Sequence, residues 1–230
     1  MAKPVIFDSL RLCSCCYIYD ASCVSRIYLV VANKIRSRGR PRSFDKDEAL
    51  ETAISLFQAK GYDSVGVAEL VAAMGIKPPS FYAAFGCKSG LLEQALARYS
   101  GGAANVFDRA REEGGSVADV IERTIRQAAR RYTEKANPGC LALDAARNSA
   151  DPDARALDVK AKAAAFESLR DYIAGEYPAD ADRLARFVTI ALTGMSAAVR
   201  DGANRDDLEA FAAIIAKALR REMECDSNAG

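Results

Sequence analysis

At 230 residues the chain can bury a sizeable core, either as one large domain or as a small module joined to a larger one. Half of its residues are hydrophobic, alanine-rich stretches recur and tryptophan is absent, which favours packed helices over a β-sandwich. Histidine is absent as well, excluding Ser/His/Asp and Cys/His catalysis and every His-containing zinc or haem site. With no Walker or GxGxxG loop either, neither an enzyme mechanism nor a cofactor is expected.

The formal net charge of +1 hides an uneven distribution. Residues 34–88 hold nine cations (Lys34, Arg36, Arg38, Arg40, Arg42, Lys46, Lys60, Lys77, Lys88) against six acids (Asp45, Asp47, Glu48, Glu51, Asp63, Glu69), leaving the rest of the chain slightly acidic.

Residues 1–33 form an unusual leader with Cys13, Cys15, Cys16 and Cys23 and no helical period. Asp8, Arg11, Asp20 and Arg26 break its apolar runs well short of the roughly 18 residues of a membrane span, and no positively charged start precedes a signal-peptide core. Four thiolates could surround a zinc ion, but structural zinc uses paired knuckles separated by a longer loop, so no metal is expected. A disordered extension or a true start at Val31 are the readings left for this segment.

Residues 34–44 make a basic arm in which Lys34, Arg36, Arg38, Arg40 and Arg42 fall on alternate positions without an intervening acid. Such an arm suits phosphate, and its Arg-Pro-Arg run suits a narrow minor groove.

A first helix is expected from Asp45, which can cap Glu48 while Glu48 answers back and Phe44 packs on Ala49; Leu50, Ala53, Ile54 and Phe57 form its inner face and Gly61 its stop. A second helix fits 67–74, followed by a corner at Met74, Gly75 and Ile76. The third, about 79–85, turns Phe81 and Phe85 inward and leaves Ser80, Tyr82 and Ala83 outside, as a recognition helix would.

Over FDKDEALETAISLFQAKGYDSVGVAELVAAMGIKPPSFYAAFGCKSGLLEQAL the chain resembles the DNA-binding domain of the TetR family, the SFYAAFGCK stretch most of all. The resemblance implies an all-α protein of nine helices. An N-terminal three-helix helix-turn-helix domain (45–90) would be followed by a larger helical ligand-binding and dimerisation domain (91–223) and a tail (224–230). It implies that Lys77, Pro78, Pro79, Ser80 and Ala83 lie against base edges or sugar, with Tyr82 and Lys88 on phosphates. Val65 and Ala68 stand where many relatives carry Thr and Arg near the start of helix 2, so phosphate contacts there are in doubt.

Beyond the third helix, stretches at about 88–112, 116–134, 140–149, 152–174, 179–201 and 205–223 read as helices, punctuated by Gly114-Gly115, Asn137-Pro138-Gly139, Asp151-Pro152, Tyr177-Pro178 and Gly202. The last two carry wide apolar stripes, including Leu184, Val188 and Leu192, then Leu208 and Leu219. A monomer core could absorb them. The resemblance instead places Phe187, Ala191, Met195, Ala198, Phe211, Ile214 and Ile215 in a two-fold four-helix interface, helped by small residues at Gly194, Ser196 and Ala197.

An effector pocket is barely legible. Arg126, Arg130, Tyr132, Leu141, Asn148, Phe166 and Tyr172 are candidates on the middle helices, although aromatic and leucine positions on helices are more often core. Cys140, in PGCLALDAA, resembles a segment that in some relatives senses electrophiles, but an ordinary buried thiol is the preferred reading. The expected function is a cytoplasmic, homodimeric regulator, a repressor released from a palindromic double-stranded operator by a small molecule, with no membrane partner. A helical adaptor indifferent to duplex DNA is the competing reading.

Overall fold

The computed structural model describes residues 44–102, 105–134 and 138–226, with side chains described as far as 223. The leader cysteines Cys13, Cys15, Cys16 and Cys23, the arm with Arg36, Arg38, Arg40 and Arg42, and the last four residues lie outside the described residues.

Of the first three helices only the first is capped by a side chain; the second and third are short and carry no side-chain cap. α1 (Lys46–Lys60) starts where the Asp45 carboxylate accepts from the backbone N–H of Asp47 at 2.8 Å and of Glu48 at 3.3 Å. It stops at Gly61, whose φ of 77° with ψ of 155° is a combination essentially confined to glycine. Phe44, expected to staple onto Ala49, sets its ring against Phe85 with centroids 6.1 Å apart, tying the start of α1 to α3. α2 (Val67–Ala73) turns through Gly75 into α3 (Pro78–Phe85), and α4 (Lys88–Gly101) follows a corner at Gly86 and Cys87. Phe57, Leu70, Phe81, Leu91 and Leu92 are fully buried where these four helices meet.

The remaining helices are α5 (Val106–Glu112), α6 (Val117–Tyr132), α7 (Leu141–Asp144), α8 (Pro152–Ile173), α9 (Ala181–Arg200) and α10 (Arg205–Asp226). α6 is the axis of this part and packs against α5, α9 and α10, while α8 lies on α9, α7 and α4. Its buried face carries Val120, Ile121, Thr124, Ile125, Ala128, Ala129 and Tyr132. Helix occupies every one of the nine expected stretches among the described residues, with two adjustments. The stretch at 88–112 is divided into α4 and α5 after the Gly101-Gly102 pair, and that at 140–149 holds only a single helical turn.

Among the described residues no helix is long and apolar enough to cross a membrane, and no cluster of carboxylates and thiolates could hold a metal ion.

The α6–α10 contact is tied at its surface by Arg220, whose guanidinium donates to Asp119 at 2.9 Å and to Glu122 at 2.7 Å. Together with the Ser116 cap it holds the Asp119 carboxyl down at about 2, and it also lowers Glu122. A carboxyl whose value is depressed on folding stabilises the native state above its unfolded value, near pH 4, and loses that contribution as pH falls towards 2. Acid unfolding followed by circular dichroism should therefore show stability declining between about pH 4 and 2, and Arg220→Met should flatten that decline.

Candidate functional site

α3 is built to show one face. Lys77 is its N-cap in extended conformation, and Pro78 and Pro79 occupy the first two helical positions, where no N–H is missed. Phe81 and Phe85 point into the core with rings 5.5 Å apart, so the rest of so short a helix is forced outward. Lys77, Pro78, Pro79, Ser80, Tyr82 and Ala83 are all exposed, and Tyr82, 53% accessible, stands edge-on to Phe81 with its hydroxyl end in solvent reach. Val65 is fully buried and is core; Ala68 is exposed but offers no polar group.

Lys88, expected beside a phosphate, sits with Nζ 4.0 Å from the centroid of the Tyr62 ring. Burial pushes its ammonium below the usual lysine range, against the opposing pull of Asp63 and Asp151. The same cluster bridges α1–α2 to the loop before α8. The Tyr62 hydroxyl donates to Asp151 at 2.6 Å, the Ser149 hydroxyl donates to Asp63 at 2.5 Å, and the Ala150 N–H donates to the other Asp63 oxygen at 3.1 Å. On the far side of α7, buried Gln58 donates from Nε2 to the Gly139 carbonyl at 3.1 Å. Four hydrogen bonds thus join the helices that carry α3 to both ends of the α7 segment.

α7 also walls a cavity of about 280 Å³ enclosed by α4, α5, α6, α8 and α9. Its surface is mainly apolar, with Val106, Phe107, Leu143, Leu169 and Leu192, and polar side chains come from Tyr99, Tyr132, Cys140 and Thr124 together with Ser100, Asn105, Asp108, Ser168 and Thr189. The Cys140 backbone N–H donates to Ser196 Oγ at 2.8 Å, which fixes the thiol at the N-cap of α7.

Of the eight expected pocket residues, Tyr132 and Cys140 line this cavity. The others lie elsewhere. Arg126 and Arg130 are on the solvent face of α6 and pair with Glu122 at 2.9 Å and Glu209 at 3.4 Å. Leu141 is core; Asn148 is exposed in a left-handed turn with φ 61°; Phe166 packs under the Arg186 guanidinium, and Tyr172 against Phe107 and Arg111 outside the cavity. Tyr99 and Thr124 are among the polar lining residues that sequence reasoning passed over, as are Ser100, Asn105, Asp108, Ser168 and Thr189. Tyr99 was accessible to it, since it continues the inner stripe of Leu92, Ala95 and Leu96 on α4.

The expected interface residues divide in three. Ala191 and Met195, only 6% and 2% accessible, are consumed by the protomer's own core, and Ser196 is buried beneath Gly139 and Cys140. Ala198 and Ile215 are half-buried against that core. Phe187 and Phe211 remain exposed, as do Ile190, which sequence reasoning missed, and Ile214. At helical spacing Phe187, Ile190 and Gly194 share one face of α9, and Phe211, Ile214 and Ala218 one face of α10.

Residues 49–95 match the family described as bacterial regulatory proteins, tetR family. The chain is 36% identical over 197 residues to the HTH-type transcriptional repressor BdcR of Escherichia coli K12, covering 85% of this chain and all of that one. It is 33% identical over 188 residues to the HTH-type transcriptional repressor ComR of the same organism, covering 75% and 88%. Among solved structures, a cysteine mutant of the TetR family transcriptional regulator CifR, complexed with 26bp double-strand operator DNA, superposes with a TM-score of 0.69 at 31% identity, over 79% of this chain and 98% of that one. Identity of 36% to a repressor matched over its whole length and a fold shared with an operator-bound regulator agree: the chain belongs to the TetR family of transcriptional regulators.

Proposed function

We propose that this protein is a homodimeric repressor that acts in the cytoplasm, reads a palindromic operator with α3 and releases it when a small molecule fills the cavity beside α7. The observation that carries the reading is the exposed face of α3, where Lys77, Pro78, Pro79, Ser80, Tyr82 and Ala83 stand together over an inward pair of phenylalanines. The CifR complex with operator DNA supports it, as do the roles of BdcR and ComR as transcriptional repressors. In this reading Lys77 and Ser80 address base edges, Pro78, Pro79 and Ala83 pack on sugar or thymine methyls, and Tyr82 donates to a phosphate. Arg36, Arg38, Arg40 and Arg42 add phosphate or minor-groove contacts ahead of α1. Lys88, drawn over Tyr62, contributes to phosphate binding by the positive field it projects from the start of α4.

The coupling runs through α7. A ligand that pushes on Leu143 and Cys140 shifts a segment bonded at one end to Gln58 and at the other to Tyr62 and Asp63. Because two recognition helices must meet grooves spaced by about 34 Å per helical turn, a small tilt of the α1–α3 unit suffices to lose one half-site.

Titration of the protein onto duplex from its own promoter region, repeated across salt concentrations, tests the reading. Binding should weaken steeply with salt, with a logarithmic slope of about −0.9 per phosphate contact. Tyr82→Phe should weaken all duplexes alike by roughly tenfold, the worth of one hydrogen bond to a charged acceptor, while Lys77→Ala should change the ranking among operators. A flat salt response would favour a helical adaptor instead.

A further inference from the structure

Among the described residues, Tyr99 is the cavity-wall residue whose buried hydroxyl meets no partner in good hydrogen-bond geometry, with the Cys140 thiol and the Leu141 backbone close by without completing one. It is 3% accessible, on the inner face of α4, with the Cys140 thiol beside it. Native structures rarely leave such a group unsatisfied, and one facing a cavity is an acceptor's place left open. Burial, followed by the neighbouring Cys140, pushes the Tyr99 phenol up, and burial does the same to Tyr132; both stay protonated through the physiological range and keep a proton to donate to a ligand's lone pair. The Thr124 hydroxyl is already spent on the Val120 carbonyl at 2.7 Å.

The rest of the wall decides the ligand's charge. No lysine or arginine lines the cavity, so a carboxylate or phosphate would be desolvated without a counter-ion. Asp108, the acidic lining residue, accepts from Asn105 at 2.6 Å and lies 3.7 Å from Arg111, so its charge is answered by the protein and does not call for a cation. A volume of about 280 Å³ falls just below the range of about 300–1,000 Å³ for small-molecule sites and so calls for a small ligand.

We propose that this cavity takes a small, electrically neutral molecule with an apolar body and one carbonyl-type oxygen, the oxygen accepting from the Tyr99 hydroxyl and the body lying among Phe107, Leu143, Leu169 and Leu192. The proposal rests on reading the cavity as the effector site, and binding and DNA release are measured separately so that each can fail alone.

Three probes of matched size separate the alternatives: benzylacetone (neutral, one carbonyl), butylbenzene (no acceptor) and hydrocinnamate (anionic). Calorimetric titration of the full-length protein should give benzylacetone an affinity about tenfold above butylbenzene, with hydrocinnamate weakest. Tyr99→Phe, which removes an unsatisfied group and so should fold with an undiminished melting temperature, should bring benzylacetone down to butylbenzene. Hydrocinnamate binding as well as benzylacetone, an unchanged benzylacetone affinity in Tyr99→Phe, no binding of any probe, or a covalent adduct on Cys140 by intact mass would each overturn the proposal. Benzylacetone that binds through Tyr99 yet leaves the affinity for promoter duplex unchanged would uphold the ligand class and remove the effector reading.

Discussion

Gly90→Ala is expected to lower the stability of the protein by about 3 kcal/mol, the upper end of the usual cost of overfilling a packed site. A Cβ on Gly90 would lie 2.3 Å from the carbonyl oxygen of Phe85, which is backbone and cannot swing aside as a side chain would. Phe85 closes α3 and Gly90 lies in the first turn of α4, so relief of the clash must open the corner at Gly86 and Cys87 that aims the recognition helix. Denaturant unfolding should show the loss in the midpoint, and affinity for promoter duplex should fall further than stability alone explains. Gly101→Ala is the control in the same helix. Nothing lies within 4 Å of a Cβ at that position, so the substitution should be neutral or stabilise by about 0.5 kcal/mol through the entropy of the unfolded chain.

Ile214→Glu should convert a dimer into a monomer of 24.7 kDa by sedimentation and weaken operator binding by about 10²–10⁴-fold, the avidity lost when two linked half-sites become one. Ile214 is 69% accessible in the protomer, so a glutamate there meets water in the monomer and would be desolvated only in a dimer that buries the α9 and α10 stripes. Circular dichroism should be unchanged, which separates loss of assembly from loss of fold. Met195→Glu would not make the same test, because Met195 lies inside the protomer and its replacement unfolds the chain first.

The helices were legible wherever a local pattern and the tertiary outcome coincide. Asp45 before α1, Gly61 after it and the inward spacing of Phe81 and Phe85 are signals that act within a turn or two of chain, and each appears where it was read. α7 was overestimated because Leu141 to Ala146 is helix-forming in isolation, whereas Asn148 turns left-handed and the Ser149 hydroxyl and Asp151 carboxylate bond nearby backbone N–H groups and the α1–α2 side chains. The cavity was legible only in part for a different reason. Arg126 and Arg130 share a stretch with Tyr132, but helical phase sends them to solvent and Tyr132 inward, and only the packing of α8 over α4 and of α9 over α6 decides which inward groups face an empty volume. The interface list mixed Phe187 with Met195 because apolar stripes wider than one face cannot be divided between self and partner without knowing what α6 and α8 already cover.

The bonds around α7 also set the rules for grafting. A DNA-binding unit moved from this chain onto a related sensor would need something to hold at both ends of that sensor's own α7. Gln58 asks only for the backbone carbonyl at Gly139, and one Asp63 oxygen asks only for the N–H of Ala150, so half of the connection would be met by any chain that runs the same course. Tyr62 and the other Asp63 oxygen depend on the side chains of Asp151 and Ser149. A chimaera lacking those two side chains should still fold and still bind its operator, yet respond weakly to its new ligand, and restoring Ser149 and Asp151 would be the first repair to make.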